Sequence, residues 1–242
     1  MWNNRVICIH GCDERTFHPL RLKKYLRTIQ KLGYKFVTLD DILLQNSSKR
    51  WSICLTVDDA YKNCITNLLP ILQDLNIIAT LFVPTGWLGL KSGNPILEEN
   101  AAYPKEDVMT AEDLLYWASQ GQQIGFHTHN HINLYNHKES FIEEDFNKGM
   151  RLLKEIGIKT SYFAYPRGFL PQKRNNFEKL LYDNQILYAF TVFWGNINKG
   201  EPYYINRVCI GDKEPLWWSL LKTVGLVDWY HKRYKVIKEQ RK

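Results

Sequence analysis

The stretch Ser52-Ile53-Cys54-Leu55-Thr56-Val57-Asp58-Asp59 is an apolar run that ends in two adjacent carboxylates. Its apolar and β-branched residues predict a buried strand, which places Asp58 and Asp59 at the carboxyl end of that strand. Two carboxylates a few ångströms apart raise each other's pKa unless a cation compensates, so such pairs concentrate at functional sites. The alternative interpretation is a turn or helix cap ahead of Ala60-Tyr61-Lys62.

A second cluster of polar residues, His127-Thr128-His129-Asn130-His131, follows a predicted strand at residues 123–127. Because His127 and His131 are four residues apart, one turn of helix or a tight loop can direct both imidazoles at one ion. Imidazole nitrogen together with carboxylate oxygen suits zinc and neighbouring transition metals. We expect His129 at the surface or behind the ligands, since its offset directs it away from the other two. An adventitious histidine cluster is the alternative.

The rest of the chain alternates short β-rich runs with helical patterns, which predicts βα units and a mainly parallel sheet or barrel. The clearest helices are at residues 19–32 and after Thr110, where Asp113 completes a capping box and Gly121 ends the helix. Residues 86–107 are rich in glycine and proline without periodicity, so we expect a long loop beside a site. The predicted strands span residues 5–10, 35–39, 52–57, 77–83, 123–127, 162–165, 187–192 and 204–210.

Length and composition predict one domain over residues 1–242, with a basic C-terminal helix or tail at about 215–242. The 242 residues, 45% of them hydrophobic, supply one sizeable core. Lys and Arg (32) exceed Asp and Glu (25), giving a net charge of +7. Much of this excess lies in the last dozen residues, so we expect a solvated chain end and no nucleic-acid surface.

Neither a signal-peptide run near the N-terminus nor a stretch of about 18 apolar residues is present. The sequence therefore predicts a cytoplasmic location. Five scattered cysteines without C-x-x-C spacing predict free, buried thiols.

The apolar segment Pro215-Leu216-Trp217-Trp218-Ser219-Leu220-Leu221 precedes the basic tail and has two interpretations. The more usual one is a terminal amphipathic helix packed on the barrel. The other is a peripheral contact of this C-terminal segment with an anionic membrane. The sequence leaves the oligomeric state open.

Two further candidates lie at predicted strand ends, where the loops of a parallel β/α fold open. In Phe163-Ala164-Tyr165-Pro166-Arg167-Gly168, the proline and glycine predict a sharp turn that can direct a backbone N–H at the rim. His10 ends the first predicted strand, although a lone histidine in such a place is more often structural.

These stretches resemble the motifs of the NodB-type polysaccharide deacetylases, carbohydrate esterase family four. Thr56 to Tyr61 is similar to Thr-Phe-Asp-Asp-Gly, residues 124–134 resemble the second, histidine-containing motif, and Phe163 to Gly168 resembles Phe-Ala-Tyr-Pro-Tyr-Gly. The resemblance implies a distorted (β/α) barrel and metal-dependent hydrolysis of an N-acyl group, expected to be N-acetyl, on a sugar or glycan. The expected metal is Zn²⁺.

The resemblance also implies a metal site and a general base. Asp59, His127 and His131 would bind the metal, and Asp58 would take a proton from the attacking water. Three more residues would support the substrate or the oxyanion. Thr128 would orient its own motif, and the backbone N–H of Arg167, beside Tyr165, would hold the oxyanion.

The chain departs from the family pattern at positions that affect turnover. Ala164 stands where many members have an arginine that positions the base, and Arg207 is our candidate to replace it. The usual late Leu-x-His, which carries the general acid, is absent after Ile210. Cys8-Ile9-His10 instead resembles the permuted poly-N-acetylglucosamine deacetylase branch, which makes His10 the candidate acid.

Two other functions remain open from the sequence. Ala164 and Arg167 leave room for a non-catalytic metal- or glycan-binding domain. The apolar segment before the basic tail leaves room for a deformylase or amidase that acts on a lipid-linked or small acylated substrate.

Overall fold

The structure is a computed structural model that describes residues 4–44, 51–198, 200–211 and 213–230. Eight strands occur in these ranges, each inside or at the place predicted for it and most of them shorter than predicted. They are β1 (Arg5–Ile9), β2 (Lys35–Phe36), β3 (Ser52–Asp58), β4 (Ala79–Val83), β5 (Gln123–Phe126), β6 (Tyr162–Ala164), β7 (Tyr188–Phe190) and β8 (Val208–Cys209).

The strands form one parallel sheet in the order β7-β6-β5-β4-β3-β1-β8, and β2 pairs with the beginning of β3. The sheet curls, and Phe190 of β7 bridges Ile205, three residues before β8. Every residue of β1, β3 and β4 is buried, as a parallel sheet covered on both faces requires. The predicted parallel β/α barrel is therefore confirmed, as a curled half-barrel.

Helices cover the outside of this sheet. Two of them are the helices predicted most clearly: the fourth begins with the predicted capping box of Thr110, and the first buries one apolar face, made of Leu22, Tyr25, Leu26 and Ile29. The helices are α1 (Pro19–Lys31), α2 (Leu69–Leu75), α3 (Pro95–Asn100), α4 (Ala111–Ser119), α5 (Glu139–Ile156), α6 (Arg174–Asp183) and α7 (Leu216–Val224).

The prediction of an uninterrupted loop at residues 86–107 is wrong, because α3 lies inside it. The Asn94 side chain accepts a hydrogen bond from the backbone N–H of Ile96, and Pro95 occupies the first helical turn. An N-cap and an N-terminal proline can start a helix that is too short to show periodicity. The end of α3 and the residues after it reach the cavity described below.

The C-terminal segment packs on the barrel through α7 and exposes aromatic residues beyond it. Ser219, Lys222 and Thr223 are buried, whereas Trp217 and Trp229 are 61% and 62% exposed. Residues 231–242, which hold His231 and most of the basic residues of the predicted C-terminal tail, lie outside the described residues. Among the helices of the described ranges, none has the length and apolar character needed to cross a bilayer.

Candidate active site

The carboxyl ends of neighbouring strands bring the candidate residues to one cavity. His10 follows β1, Asp58 ends β3 and precedes Asp59, His127 follows β5, and Arg167 follows β6. Parallel strands direct their carboxyl ends to the same rim, which explains how residues up to 157 positions apart meet there. The cavity has a volume of about 290 Å³ and is lined by His10, Asp58, Asp59, Asn100, Ala101, Ala102, His127, His131, Arg167 and Val192.

Asp59, His127 and His131 form a buried group whose ligand atoms lie within 4.8 Å of one another. Asp59 Oδ1 is 3.5 Å from His131 Nε2 and 3.8 Å from His127 Nε2. These separations are long for hydrogen bonds. Around an ion with bonds of about 2.1 Å, tetrahedral ligands stand about 3.4 Å apart, so the group has nearly the spacing of a metal site.

The protonation of this group also fits a cation. His127 Nδ1 donates a hydrogen bond of 2.7 Å to the carbonyl oxygen of Ala164, which leaves a lone pair on Nε2 of the neutral ring. Burial lowers the pKa of His127 to about 4 and that of His131 to about 3, so both rings are neutral near pH 7. Asp59 Oδ1 is buried without a hydrogen-bond partner. Lone pairs and a carboxylate that face one another without a proton form a pocket that suits a positive ion.

Left-handed backbone angles shape the motifs. Among the described residues, five of the eight non-glycine residues with positive φ belong to the three motifs: Asp59 (74°), Ala60 (53°), Thr128 (63°), His131 (55°) and Arg167 (55°). Such angles cost of order 1–3 kcal/mol each and persist only where the surroundings enforce them. Thr128 Oγ1 contributes by accepting a hydrogen bond of 3.3 Å from the N–H of Ile132. The strain therefore marks the loops that hold the site.

Asp58 is paired with a buried arginine and does not belong to the group of Asp59, His127 and His131. Arg207 Nη1 and Nη2 donate to the two carboxylate oxygens of Asp58 at 2.7 and 2.9 Å, and Arg207 is 0% exposed. Burial alone would raise the pKa of Asp58, but the charge and hydrogen bonds of Arg207 outweigh it and hold this pKa well below its usual range. Arg207 thus supports Asp58 in place of the arginine that many relatives were expected to carry at the position of Ala164.

The setting of Arg207 differs from the sequence prediction in one respect. It precedes β8 and does not belong to a strand that runs from residue 204 to 210. Its Nε donates to the carbonyl oxygen of Thr191 at 3.0 Å, and its guanidinium lies 5.2 Å from the centre of the Phe82 ring. These contacts fix the guanidinium inside the curled sheet.

His10 lies at the edge of the same cavity and is half-buried. One of its ring nitrogens is within 4.8 Å of a carboxylate oxygen of Asp58, and its ring makes an edge contact with Tyr103 at 6.5 Å between centres. Burial lowers the pKa of His10, but the charges of Asp59 and Asp58 outweigh burial and raise it. His10 can therefore carry a proton beside Asp58.

Arg167 and Tyr165 belong to the same turn, but only Arg167 lines the cavity. Arg167 lines the cavity, and its side chain donates a hydrogen bond of 2.7 Å to the carbonyl oxygen of Asn100. Tyr165 is 1% exposed, and its hydroxyl donates to the carbonyl oxygen of Tyr203 at 3.1 Å. The structure does not bring the Tyr165 side chain to the cavity, because its ring packs against Phe177 of α6.

Trp87 contacts one of the candidate metal ligands from a buried position. Trp87 is 0% exposed, and its ring packs on the ring of His131 with 4.7 Å between centres. Because it is buried there, Trp87 can support the orientation of His131 but cannot cover a sugar face.

Sequence reasoning missed Asp145, which anchors the histidine loop from α5. Its carboxylate accepts hydrogen bonds from the N–H of His129 at 2.8 Å and from the N–H of Asn130 at 3.1 Å. His129 lies behind Asp59, His127 and His131, and its Nδ1 is 3.0 Å from Thr85 Oγ1. A signal was present in the sequence, since Asp145 is an acidic residue on the apolar face of α5, next to Phe146.

The sequence and the fold both match known proteins. A sequence profile of the polysaccharide deacetylases matches residues 45–183, more than half of the chain. The chain belongs to the polysaccharide deacetylase family. The family predicted from the motifs is thus confirmed. Among curated proteins, none matches the sequence of this deacetylase significantly.

Solved structures share the fold of this polysaccharide deacetylase. IcaB from Ammonifex degensii is 22% identical with a TM-score of 0.77, and the match covers 92% of this chain and 96% of that chain. The deacetylase PplD from Streptococcus pyogenes, in complex with acetate, is 18% identical with a TM-score of 0.73, covering 92% and 98%. BC0361, a polysaccharide deacetylase from Bacillus cereus, is 18% identical with a TM-score of 0.71, covering 91% and 69%.

Proposed function

We propose that this family member hydrolyses the N-acetyl group of an amino sugar in a glycan, using a divalent metal held by Asp59, His127 and His131. The observation that carries the proposal is the meeting of three devices in one cavity. A cation-binding group, an ion-paired carboxylate and a proton-bearing imidazole all line it. Zn²⁺ is the expected metal, since two imidazoles and one carboxylate are donors it prefers.

The metal group is prepared by its own neighbours. The carbonyl oxygen of Ala164 fixes the tautomer of His127, and Trp87 packs on His131. When bound, a divalent metal supplies Lewis acidity toward an acyl oxygen and lowers the pKa of water. The contacts with Ala164 and Trp87 orient the two imidazole rings and leave the Nε2 lone pair of His127 available to a metal.

Asp58 and His10 divide the proton transfers. Asp58 accepts a proton from the attacking water, and His10 donates a proton to the leaving amine. The ion pair with Arg207 lowers the basicity of Asp58, but it keeps the carboxylate ionised and fixed in direction at neutral pH. The backbone N–H of Arg167, in a left-handed turn at the cavity wall, assists the developing oxyanion.

The pairing of Arg207 with Asp58 favours an active enzyme over a non-catalytic binding domain. Ala164 suggested that the base had lost its support, but Arg207 gives Asp58 a bidentate partner. A buried pair of this kind is costly to desolvate, and it has no evident use in a domain that only binds metal.

The decisive experiment measures free amine released from N-acetylglucosamine oligomers by protein that has been stripped with a chelator and reloaded with Zn²⁺. We expect Asp58→Asn to lower kcat by roughly 10²-fold or more, since general-base catalysis contributes about 10²–10⁴-fold. Its metal content should stay at the wild-type level, because Asp58 is not one of the metal ligands. Asp59→Asn should lose both the metal and the activity.

The matched control is Asp74→Asn, which alters a surface carboxylate paired with Lys23 and Arg27. Its kcat and metal content should match the wild type. Equal turnover by wild type and Asp58→Asn would remove Asp58 as the base. Zn²⁺ binding without hydrolysis of any N-acyl sugar, acylated amine or formylated substrate would favour the binding domain, whereas hydrolysis of formylated substrates alone would favour the deformylase.

A further inference from the structure

Cys8 and Cys209 are register partners in the neighbouring parallel strands β1 and β8. Paired residues of adjacent strands direct their side chains to the same face of the sheet, so the two thiols are neighbours. Adjacent strands are about 4.8 Å apart, which lies within the range of about 4.4–6.8 Å between Cα atoms that a disulfide requires. The strand pairing therefore gives the two cysteines a backbone separation that a disulfide can span.

Only one member of this pair can be reached from solvent. Cys8 is fully buried, whereas Cys209 is partly exposed and lines a cavity of about 330 Å³ that also contains His10 and Tyr103. The other three cysteines, Cys12, Cys54 and Cys64, are buried. A small dissolved oxidant would therefore meet the sulfur of Cys209 first.

The surroundings of Cys209 also favour its thiolate. The neighbouring Cys8 thiol and the charges of Arg207 and His10 lower the pKa of Cys209 below its usual value, although its burial opposes this shift. Burial raises the pKa of Cys8 well above its usual value, and that of Cys12 to about 12. Since the thiolate is the form that reacts with oxidants, the accessible thiol is also the reactive one.

We propose that Cys209 is an oxidation site for peroxides and that Cys8 is its resolving thiol. The Cys209 thiolate attacks one oxygen of a peroxide, the O–O bond breaks, and Cys209 becomes a sulfenic acid while the other oxygen leaves as hydroxide or alkoxide. The Cys8 sulfur then displaces water from this sulfenic acid and forms the disulfide. Each peroxide thus oxidises two thiols, and its two oxygens leave in reduced form.

The disulfide would act on the catalytic groups through Cys8. In the reduced protein, Cys8 Sγ donates a hydrogen bond of 3.4 Å to Asp58 Oδ2, the oxygen that also accepts from Arg207 Nη2. A disulfide removes this hydrogen-bond donor and draws the Cys8 sulfur toward β8. Because Cys8 is only two residues before His10, the change occurs beside both proposed proton carriers. This consequence rests on the role proposed for Asp58, whereas the oxidation site itself does not.

The chemical test is a peptide map of the full chain after hydrogen peroxide and thiol blocking. Trypsin places Cys8 and Cys12 in the peptide of residues 6–15 and Cys209 in the peptide of residues 208–213. A Cys12→Ser background makes the assignment unique. We expect a cross-link between these two peptides, with the loss of two hydrogen atoms, and its absence in Cys209→Ser. The matched control, Cys54→Ser, replaces another buried strand cysteine and should keep the cross-link.

Several results would overturn the proposal. They are an unmodified Cys209, a cross-link between other cysteines, or a sulfinic acid at Cys209 without a cross-link to Cys8. Thermal unfolding of each variant, followed by circular dichroism, verifies that it is folded before its map is interpreted.

The functional test uses the deacetylation assay before and after peroxide. Loss of a hydrogen bond to a charged group predicts a fall in kcat of about tenfold, reversed by dithiothreitol. Cys209→Ser should keep its activity in peroxide, because its thiolate is gone and Cys8 still contacts Asp58. A cross-linked protein with unchanged kcat would refute the control of Asp58. If the reduced wild type hydrolyses no substrate, the proposed function fails, and the peptide map still decides the thiol chemistry.

Discussion

Replacement of Arg207 by methionine removes the partner of a buried carboxylate. Arg207 is 0% exposed and Asp58 is 3% exposed, and two hydrogen bonds of 2.7 and 2.9 Å join them. Breaking one side of such a buried pair typically costs about 3–5 kcal/mol, because an unpaired charge stays behind. We expect Arg207→Met to lower the free energy of unfolding by about this amount at pH 7. Urea unfolding of the metal-free protein measures it.

The pH dependence has a definite sign. In the wild type the pKa of Asp58 in the folded state lies below its unfolded value of about 3.9. The stability from the pair is therefore complete above about pH 4 and is lost as the pH falls through the folded pKa. Without Arg207, burial raises the pKa of Asp58, so protonation at low pH relieves the unpaired charge. The destabilisation by Arg207→Met should thus shrink as the pH falls.

The same substitution should move the acidic limb of the pH profile of kcat/KM to higher pH, since Asp58 must be ionised to accept a proton. Arg5→Met is the matched control. Arg5 is also a buried arginine with a bidentate partner, Asp228, but it is remote from the cavity. It should lower stability and leave the pH profile in place. Equal pH profiles for Arg207→Met and Arg5→Met would refute the assigned role of Arg207.

Three other predictions concern the frame of the site and its surface. Asp145→Ala should weaken Zn²⁺ binding about 10–100-fold in calorimetry, since it releases the loop that carries the proposed ligands His127 and His131, and wild-type affinity would contradict this. Gly125→Ala should cost about 1–3 kcal/mol in urea unfolding, because its Cβ would lie 2.4 Å from the Phe82 ring. Flotation with anionic liposomes should recover less of Trp217→Ala than of the wild type, because the exposed indole adds apolar area that can enter a membrane interface; equal flotation of both would exclude that role for Trp217.

The sequence predicted the architecture because its periodic signals were local. The apolar runs of eight strands, the apolar face of α1 and the capping box of Thr110 are each encoded within a few residues, and all appear in the structure. The strand ends where the motifs stand were predicted for the same reason. Strand bounds were less accurate, because pairing with a neighbour decides where a ladder ends.

Which of the two adjacent aspartates faces the histidines was decided by tertiary structure. Asp58 keeps strand geometry and meets Arg207, whereas Asp59 adopts a φ of 74° and faces His127 and His131. No local pattern encodes this division, because it depends on partners that are 68 to 149 residues away.

The buried supports of the site likewise appear only in three dimensions. The burial of Trp87 against His131, the anchoring of the histidine loop by Asp145 and the pairing of Cys8 with Cys209 each join distant parts of the chain. The sequence by itself determined the residue types and the strand ends at which they stand. The curl of the sheet decided which of them meet, because contact across a barrel depends on strand order and not on sequence distance.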